Sequence, residues 1–375
     1  MLIGVPKEIK NNEFRVGLTP SSAQELIERG HSVMIETNAG HGVGFDDDDY
    51  INIGAQITSD AAKIFKTADM IVKVKEPQPH ECHLLKKDQI LFTYLHLAPD
   101  PIQTDLLVKS GCVAIAYETV TDNFGGLPLL SPMSEVAGRM AIQAGAHCLE
   151  KTQGGSGMLL GGIPGVPAAR VVILGGGVVG TNSIRMAIGM EANVTVIDKS
   201  IKRLRELDFQ FGSQLNTVFA TMHNIEFYVS KSDLVIGAVL VPGAAAPKLV
   251  TRQMLKNMKR GSVLVDVSID QGGCFETSRP TTHDKPTFIE EGIVHYCVAN
   301  MPGGCARTAT IGLNNATLPY IINLAEKGYK KALLSDRHLL NGLNVMHGKI
   351  TYRAVADALN KENNYVAAEV LLGAA

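Results

Sequence analysis

Residues 170–180 read Arg170-Val171-Val172-Ile173-Leu174-Gly175-Gly176-Gly177-Val178-Val179-Gly180, an apolar run emptying into a G-x-G-x-x-G turn. Gly175 permits a tight turn, Gly177 lets backbone approach a pyrophosphate, and Gly180 lets the next helix pack close to the strand. That helix, expected over 178–191, aims its amide end at the phosphates. A second strand over 193–197 runs to Asp198, at the spacing where an acid grips a ribose 2′-hydroxyl. Bare glycine patterns also occur at ordinary strand-to-helix turns. Here the strand before, the helix after and the acid at the next strand end together specify a dinucleotide. The carboxylate favours NAD, because it would repel the 2′-phosphate of NADP.

The fingerprint lies mid-chain, so a folding unit's worth of sequence precedes it. Strands are expected at 2–5, 32–36, 70–74, 90–95 and 113–116, and downstream at 234–239, 262–267 and 293–299. Helices are expected at 201–211 and 251–259. Strands alternating with helices predict parallel, doubly wound sheets. Gly, Ser and Pro thicken over 153–167, ahead of the nucleotide strand, and after about 305 the chain reads as helical. The expected fold is α/β with two doubly wound domains. A Rossmann-type NAD domain over 131–304 is inserted in a discontinuous substrate and catalytic domain, 1–130 plus 305–375.

Composition excludes other classes. In 375 residues, 35 Lys+Arg stand against 37 Asp+Glu, which gives no basic surface for nucleic acid or an anionic membrane. No apolar run reaches the ~20 residues of a membrane helix, and the opening Met1-Leu2-Ile3-Gly4-Val5-Pro6 reads as a strand and not a signal. The six cysteines lack C-x-x-C spacing and are expected reduced and buried, so a cytoplasmic protein is expected. Asp46-Asp47-Asp48-Asp49 reads as a solvated loop, and His80-Glu81-Cys82-His83 lacks a partner pair for zinc. No metal is assigned.

Open parallel sheets bind ligands beyond the carboxyl ends of their strands. Three successive strands of the first domain end at Lys75, at His96 and at Tyr117-Glu118, each delivering an ionisable side chain to one rim. Arg15, in the loop after the first strand, could join them, since a guanidinium fork matches a carboxylate. Histidine is the side chain suited to acid–base work near neutral pH. In the second domain the same rule selects Asp270 and Asn300. Ser134 is a candidate N-cap for a helix starting at Glu135, its hydroxyl available to phosphate. A carboxylate-binding cation pair, a histidine, an aspartate and a nicotinamide suit hydride transfer at carbon bearing a heteroatom.

The chain also resembles the alanine dehydrogenase family over essentially its full length. The resemblance rests on Gly4-Val5-Pro6-Lys7-Glu8, Phe14-Arg15-Val16-Gly17-Leu18-Thr19-Pro20, Val74-Lys75-Glu76-Pro77, Tyr94-Leu95-His96-Leu97-Ala98 and Ala116-Tyr117-Glu118-Thr119. It continues through the run from Leu127 to Ser134, Asp266-Val267-Ser268-Ile269-Asp270-Gln271-Gly272-Gly273, Asn300-Met301-Pro302-Gly303 and the run from Asn314 to Tyr320. It implies reversible NAD-dependent oxidative deamination of L-alanine to pyruvate and ammonia, with Arg15 and Lys75 holding substrate and His96 and Asp270 as the catalytic pair. Ser134, Val178, Asp198, Arg203, Ser268, Asn300 and Met301 match the family's cofactor contacts. With Gly175, Gly177, Val179, Gly180, Val239, Leu240, Val267, Ile269, Asp270, Arg279, Val298 and Ala299 they make up the expected NAD site. Members of the family are commonly hexamers. Gly304-Cys305-Ala306-Arg307 departs from a more proline-containing stretch, and Gly243-Ala244-Ala245-Ala246-Pro247 lacks a lysine often found there. Two rivals stay open: a non-deaminating NAD module like the soluble transhydrogenase domain, and a lysine- or saccharopine-type dehydrogenase.

Overall fold

The computed structural model describes residues 1–239 and 246–373, so Leu240 and most of the segment 243–247 lie outside the described residues. The chain first lays down β1 (Leu2–Val5), β2 (Ser32–Glu36), β3 (Gln56–Thr58), β4 (Met70–Val72), β5 (Ile90–Thr93) and β6 (Val113–Ala116). Next come β7 (Arg170–Leu174), β8 (Asn193–Asp198), β9 (Leu215–Phe219), β10 (Leu234–Gly237), β11 (Val263–Asp266), β12 (Thr287–Glu290) and β13 (Ile293–Tyr296). Two further strands, β14 (Leu343–Met346) and β15 (Lys349–Ile350), follow near the end. Two compact units result: 1–133 with 306–375, and 134–305.

The first unit holds an eight-stranded sheet in the order β15-β14-β6-β5-β4-β1-β2-β3. Its six early strands run parallel, and β14 adds antiparallel to β6. The returning segment was expected to be helical. It is mostly so, yet it also closes this sheet edge with two strands that its short runs did not announce.

The second unit holds a seven-stranded sheet, β12-β13-β11-β10-β7-β8-β9, parallel except for β12. Its strands are near-continuous apolar runs because both faces are covered. In β7, Val171 and Ile173 enter one buried cluster with Val194, Val196, Leu234 and Ile236. Val172 and Leu174 enter another with Ile197, Val235 and Leu264.

In both sheets the winding reverses beside the first strand, between β1 and β4 and between β7 and β10. These are the switch points where such sheets receive ligands.

Several strands stop short of their expected ends for one physical reason. Val74 N–H donates to Glu8 Oε1 at 2.6 Å, and Leu95 N–H to the Glu118 carboxylate at 3.2 Å. Lys73 N–H still donates to the Phe92 carbonyl at 3.2 Å and Tyr94 N–H to the Val74 carbonyl at 3.3 Å, so side-chain acceptors take over from the ladder only at Val74 and Leu95.

The four aspartates are a correction. They begin a helix, Asp47–Ile51, in which Asp46 and Asp49 form a reciprocal capping box. Carboxylates suit a helix N-terminus, so this charge run is local structure and not loop. All six cysteines are free thiols, with Cys305 only half-buried. Among the described residues no helix is long and apolar enough to cross a membrane, and no metal-ligating cluster occurs.

Candidate active site

Arg15, Lys75 and His96 follow β1, β4 and β5, three neighbouring strands of the first sheet, at their carboxyl ends. Arg15 is buried. Its Nε and Nη2 donate to the two Glu13 oxygens at 2.6 Å each, and Nη1 lies 2.9 Å from Met133 Sδ. Burial opposes the guanidinium charge, but Glu13 outweighs it and its pKa is raised. Glu13 thus fixes one edge of the fork, and Met133 lies against Nη1. Arg15 is in the wall of a cavity of about 480 Å³, with the rest of the loop 7–15 and Asn38, Ala39, His41 and Gly42.

Lys75 is half-buried, and its backbone is pinned from two sides. Its N–H donates to Glu8 Oε1 at 3.2 Å and its carbonyl accepts Thr93 Oγ1 at 3.0 Å.

His96 sits in the left-handed region, φ 49°, which few non-glycine residues adopt. Glu118 holds that turn by accepting the His96 N–H at 2.6 Å. The ring stacks on Tyr94, centroids 5.8 Å apart, and Tyr94 in turn anchors its hydroxyl on the Leu129 carbonyl at 2.6 Å. Burial pushes the Tyr94 phenol upward, so it stays a neutral donor. The imidazole itself is half-exposed, with Nδ1 3.9 Å from Glu118 Oε1.

At the end of β6, Tyr117 is buried against Phe92 and Tyr94, and Glu118 is the ionisable side chain at the rim, where it accepts the Leu95 and His96 amides.

In the second unit the fingerprint has a dinucleotide's geometry. Gly175 has φ 99°, and a Cβ there would strike the Ala238 carbonyl. A Cβ on Gly180 would overlap the Gly175 carbonyl itself. At Gly177 a Cβ would meet nothing within 4 Å. The helix Val178–Gly189 starts there with no side-chain cap, so its first amides are open to phosphate. These residues fit NAD.

This geometry makes a distinct prediction. Gly177→Ala should fold and melt like the parent, because its Cβ displaces no protein atom. It should weaken NADH binding by about tenfold or more, roughly 1.4 kcal/mol, since the methyl occupies ligand space. Fluorescence titration and thermal melting check the two halves.

Asp198 accepts the Gly176 N–H at 2.7 Å and the Ser200 N–H at 2.7 Å. Arg203 donates Nε to the Gly176 carbonyl and Nη2 to Thr181 Oγ1, both at 2.6 Å. The pair thus frames the glycine turn. Ser268 Oγ donates to the Val239 carbonyl at 2.7 Å and accepts the Val239 N–H at 3.1 Å, joining the ends of β10 and β11.

Val267, Ile269 and the exposed Asp270 share the short 3-10 turn Val267–Gln271 after β11. Val298, Ala299, Asn300 and Met301 follow β13, with Asn300 at φ 55°. Arg279 lies over the Phe288 ring, 4.1 Å from its centroid. Ser134 is a second correction. The helix begins at Ser131 and runs to Cys148, so Ser134 lies inside its first turn and does not cap it. Pro132 near the start, a residue suited to a first turn, moved the boundary upstream.

Sequence reasoning missed the partners behind these residues: Glu13 behind Arg15, Glu8 with Lys73 and Glu81 behind Lys75, and Asp266 behind the Asp270 turn. Asp266 is wholly buried. Burial pushes its carboxyl up, while it accepts the Ser278 hydroxyl at 2.5 Å and the Cys274 N–H at 2.9 Å. One signal was available: Lys73 interrupts an apolar strand run, and a buried ammonium requires carboxylates.

A glycine-turn dinucleotide site in one unit, and strand ends carrying Arg15, Lys75 and His96 in the other, fit a nicotinamide-dinucleotide-dependent oxidoreductase. The family follows from comparison. Models of the N-terminal and C-terminal domains of alanine dehydrogenase/PNT match residues 4–137 and 141–353. The chain belongs to the alanine dehydrogenase/PNT family. It is 60% identical over 373 residues to an alanine dehydrogenase of Halomonas elongata, covering 100% of each. It is 54% identical over 363 residues to alanine dehydrogenase 2 of Staphylococcus aureus, covering 96% of this chain and 97% of the other. A solved L-alanine dehydrogenase, 52% identical, superposes with a TM-score of 0.93 over 96% of this chain and 99% of that one. A transhydrogenase from Sinorhizobium meliloti shares the fold at 24% identity, with a TM-score of 0.80 over 94% and 100% of the chains.

Proposed function

We propose that the chain catalyses reversible, NAD-dependent oxidative deamination of L-alanine to pyruvate and ammonia, as a homohexamer in the cytoplasm with no nucleic-acid or membrane partner. Residues 1–130 and 305–375 form the substrate and catalytic domain, and 131–304 the NAD domain. The observation that carries this reading is Arg15, Lys75 and His96 on three adjacent strand ends of a chain 60% identical end to end to an alanine dehydrogenase.

NAD, held by the glycine turn with Asp198, Arg203, Ser268, Asn300 and the neighbouring strand ends, supplies the acceptor for the hydride lost from Cα. Arg15 and Lys75 bind the substrate carboxylate and fix Cα, which accounts for much of the acceleration through orientation. His96 moves protons as water adds to the iminium carbon and as the carbinolamine collapses to pyruvate and ammonia. Asp270 stabilises the cationic nitrogen and orders that water.

The test offers L-alanine, glycine, L-serine, L-lysine and saccharopine with NAD in separate reactions. NADH is expected with L-alanine. Formation with lysine or saccharopine alone would replace the substrate, and none with any of them would favour the non-deaminating module.

A further inference from the structure

We infer that Glu8, clamped by the buried Lys73, is a positioning residue that sets the spacing between Arg15 and Lys75. The inference rests on the substrate-binding role proposed for those two cations.

Glu8 lies on the loop after β1 that also carries Arg15, and Lys73 on the segment after β4 that carries Lys75. Lys73 is wholly buried, with Nζ 2.9 Å from Glu81 Oε1 and 3.2 Å from Glu8 Oε2. The other Glu8 oxygen accepts the N–H groups of Val74 at 2.6 Å and Lys75 at 3.2 Å. One carboxylate therefore grips the Lys75 backbone directly and, through Lys73, the side chain of the same segment. Glu81 completes the frame by accepting the Gln78 N–H at 2.7 Å, which fixes the turn beyond Lys75. Lys10 pairs with Glu76 and ties the same two segments again nearer the surface.

Energetics favour a geometric role. A buried carboxylate–ammonium bridge is weak evidence for stability, because well-packed apolar residues commonly do as well. What apolar packing cannot supply is an acceptor for two amides at a strand end. Burial opposes the Lys73 charge, but Glu8 and Glu81 outweigh it and the ammonium persists. The bridge spans the β1–β4 switch point, so the loops that supply the two cations cannot drift apart without breaking it. A carboxylate held by two cations is sensitive to their separation at the ångström scale.

Three variants of the full chain test this with whichever amino acid the parent oxidises best. Glu8→Ala should raise the KM for that amino acid by at least about tenfold, with NADH affinity unchanged. Glu8→Ala with Lys73→Met removes both charges and should regain melting temperature while KM stays high, since the amides still lack their acceptor. Glu8→Gln keeps an oxygen for those amides and should recover most of the lost affinity, despite a lower melting temperature. A KM for Glu8→Ala within twofold of the parent, or a KM that returns with stability in the double variant, would overturn the inference. If the preferred amino acid is not alanine, the functional reading fails, while the KM comparison still decides the role of Glu8.

Discussion

His96→Ala is expected to lower turnover by about two to four orders of magnitude, the usual contribution of a positioned acid–base group, with NADH binding preserved. Glu118 holds the turn through the Leu95 and His96 backbone amides, so its grip does not depend on the imidazole. Tyr94 beneath the ring is fixed independently to the Leu129 carbonyl. Removing the ring therefore deletes the proton carrier from a frame that stays in place. The left-handed backbone at φ 49° adds a strain term for alanine, and asparagine, which tolerates that region better, is the control. Both variants should lose turnover alike while differing modestly in melting temperature. Steady-state rates and NADH titration decide the matter, and full-rate turnover in either variant would remove His96 from the mechanism.

The sequence was most informative where local signals agree. Leu2–Val5, Val113–Ala116 and Arg170–Leu174 are strands at their expected ends, because each is a short apolar run bounded by turn residues or by a helix. The fingerprint was legible because steric demands fix glycine at Gly175 and Gly180. Gln56–Thr58 and Leu215–Phe219 were illegible, since short edge strands with polar residues take their form from a neighbour. Leu343–Met346 escaped for another reason: its pairing with β6 joins segments far apart in sequence.

The site shows the same division. Arg15, Lys75 and His96 follow from one rule about strand ends. Glu8, Glu13, Glu81 and Asp266 serve buried neighbours, and no periodicity marks a carboxylate that is set by a partner in a loop. Arg15 shows what a strand-end rule leaves out: the fork that the sequence offers to a carboxylate ligand already holds a buried acid of its own.

That engagement gives the second large effect: Arg15→Ala should destabilise the first unit by about 3–5 kcal/mol, the cost of leaving one partner of a buried ion pair, and should raise the KM for alanine steeply. Side-chain exposures of 2% for Arg15 and 1% for Glu13 mean that the carboxylate, once its guanidinium is gone, gains no solvent in its place. Arg15→Lys should recover only part of either loss, because a point charge cannot reproduce two parallel N–H···O bonds and still present donors to a substrate. Arg15→Met combined with Glu13→Gln separates the two roles. With both charges gone, chemical denaturation should show most of the stability restored, whereas alanine binding should stay as weak as in Arg15→Ala. Should alanine KM return together with stability, Arg15 would belong to the frame and not to the substrate. Lys75 would then be the principal cation for the carboxylate, and the Glu13–Arg15 pair would be a buried strut that sets its surroundings.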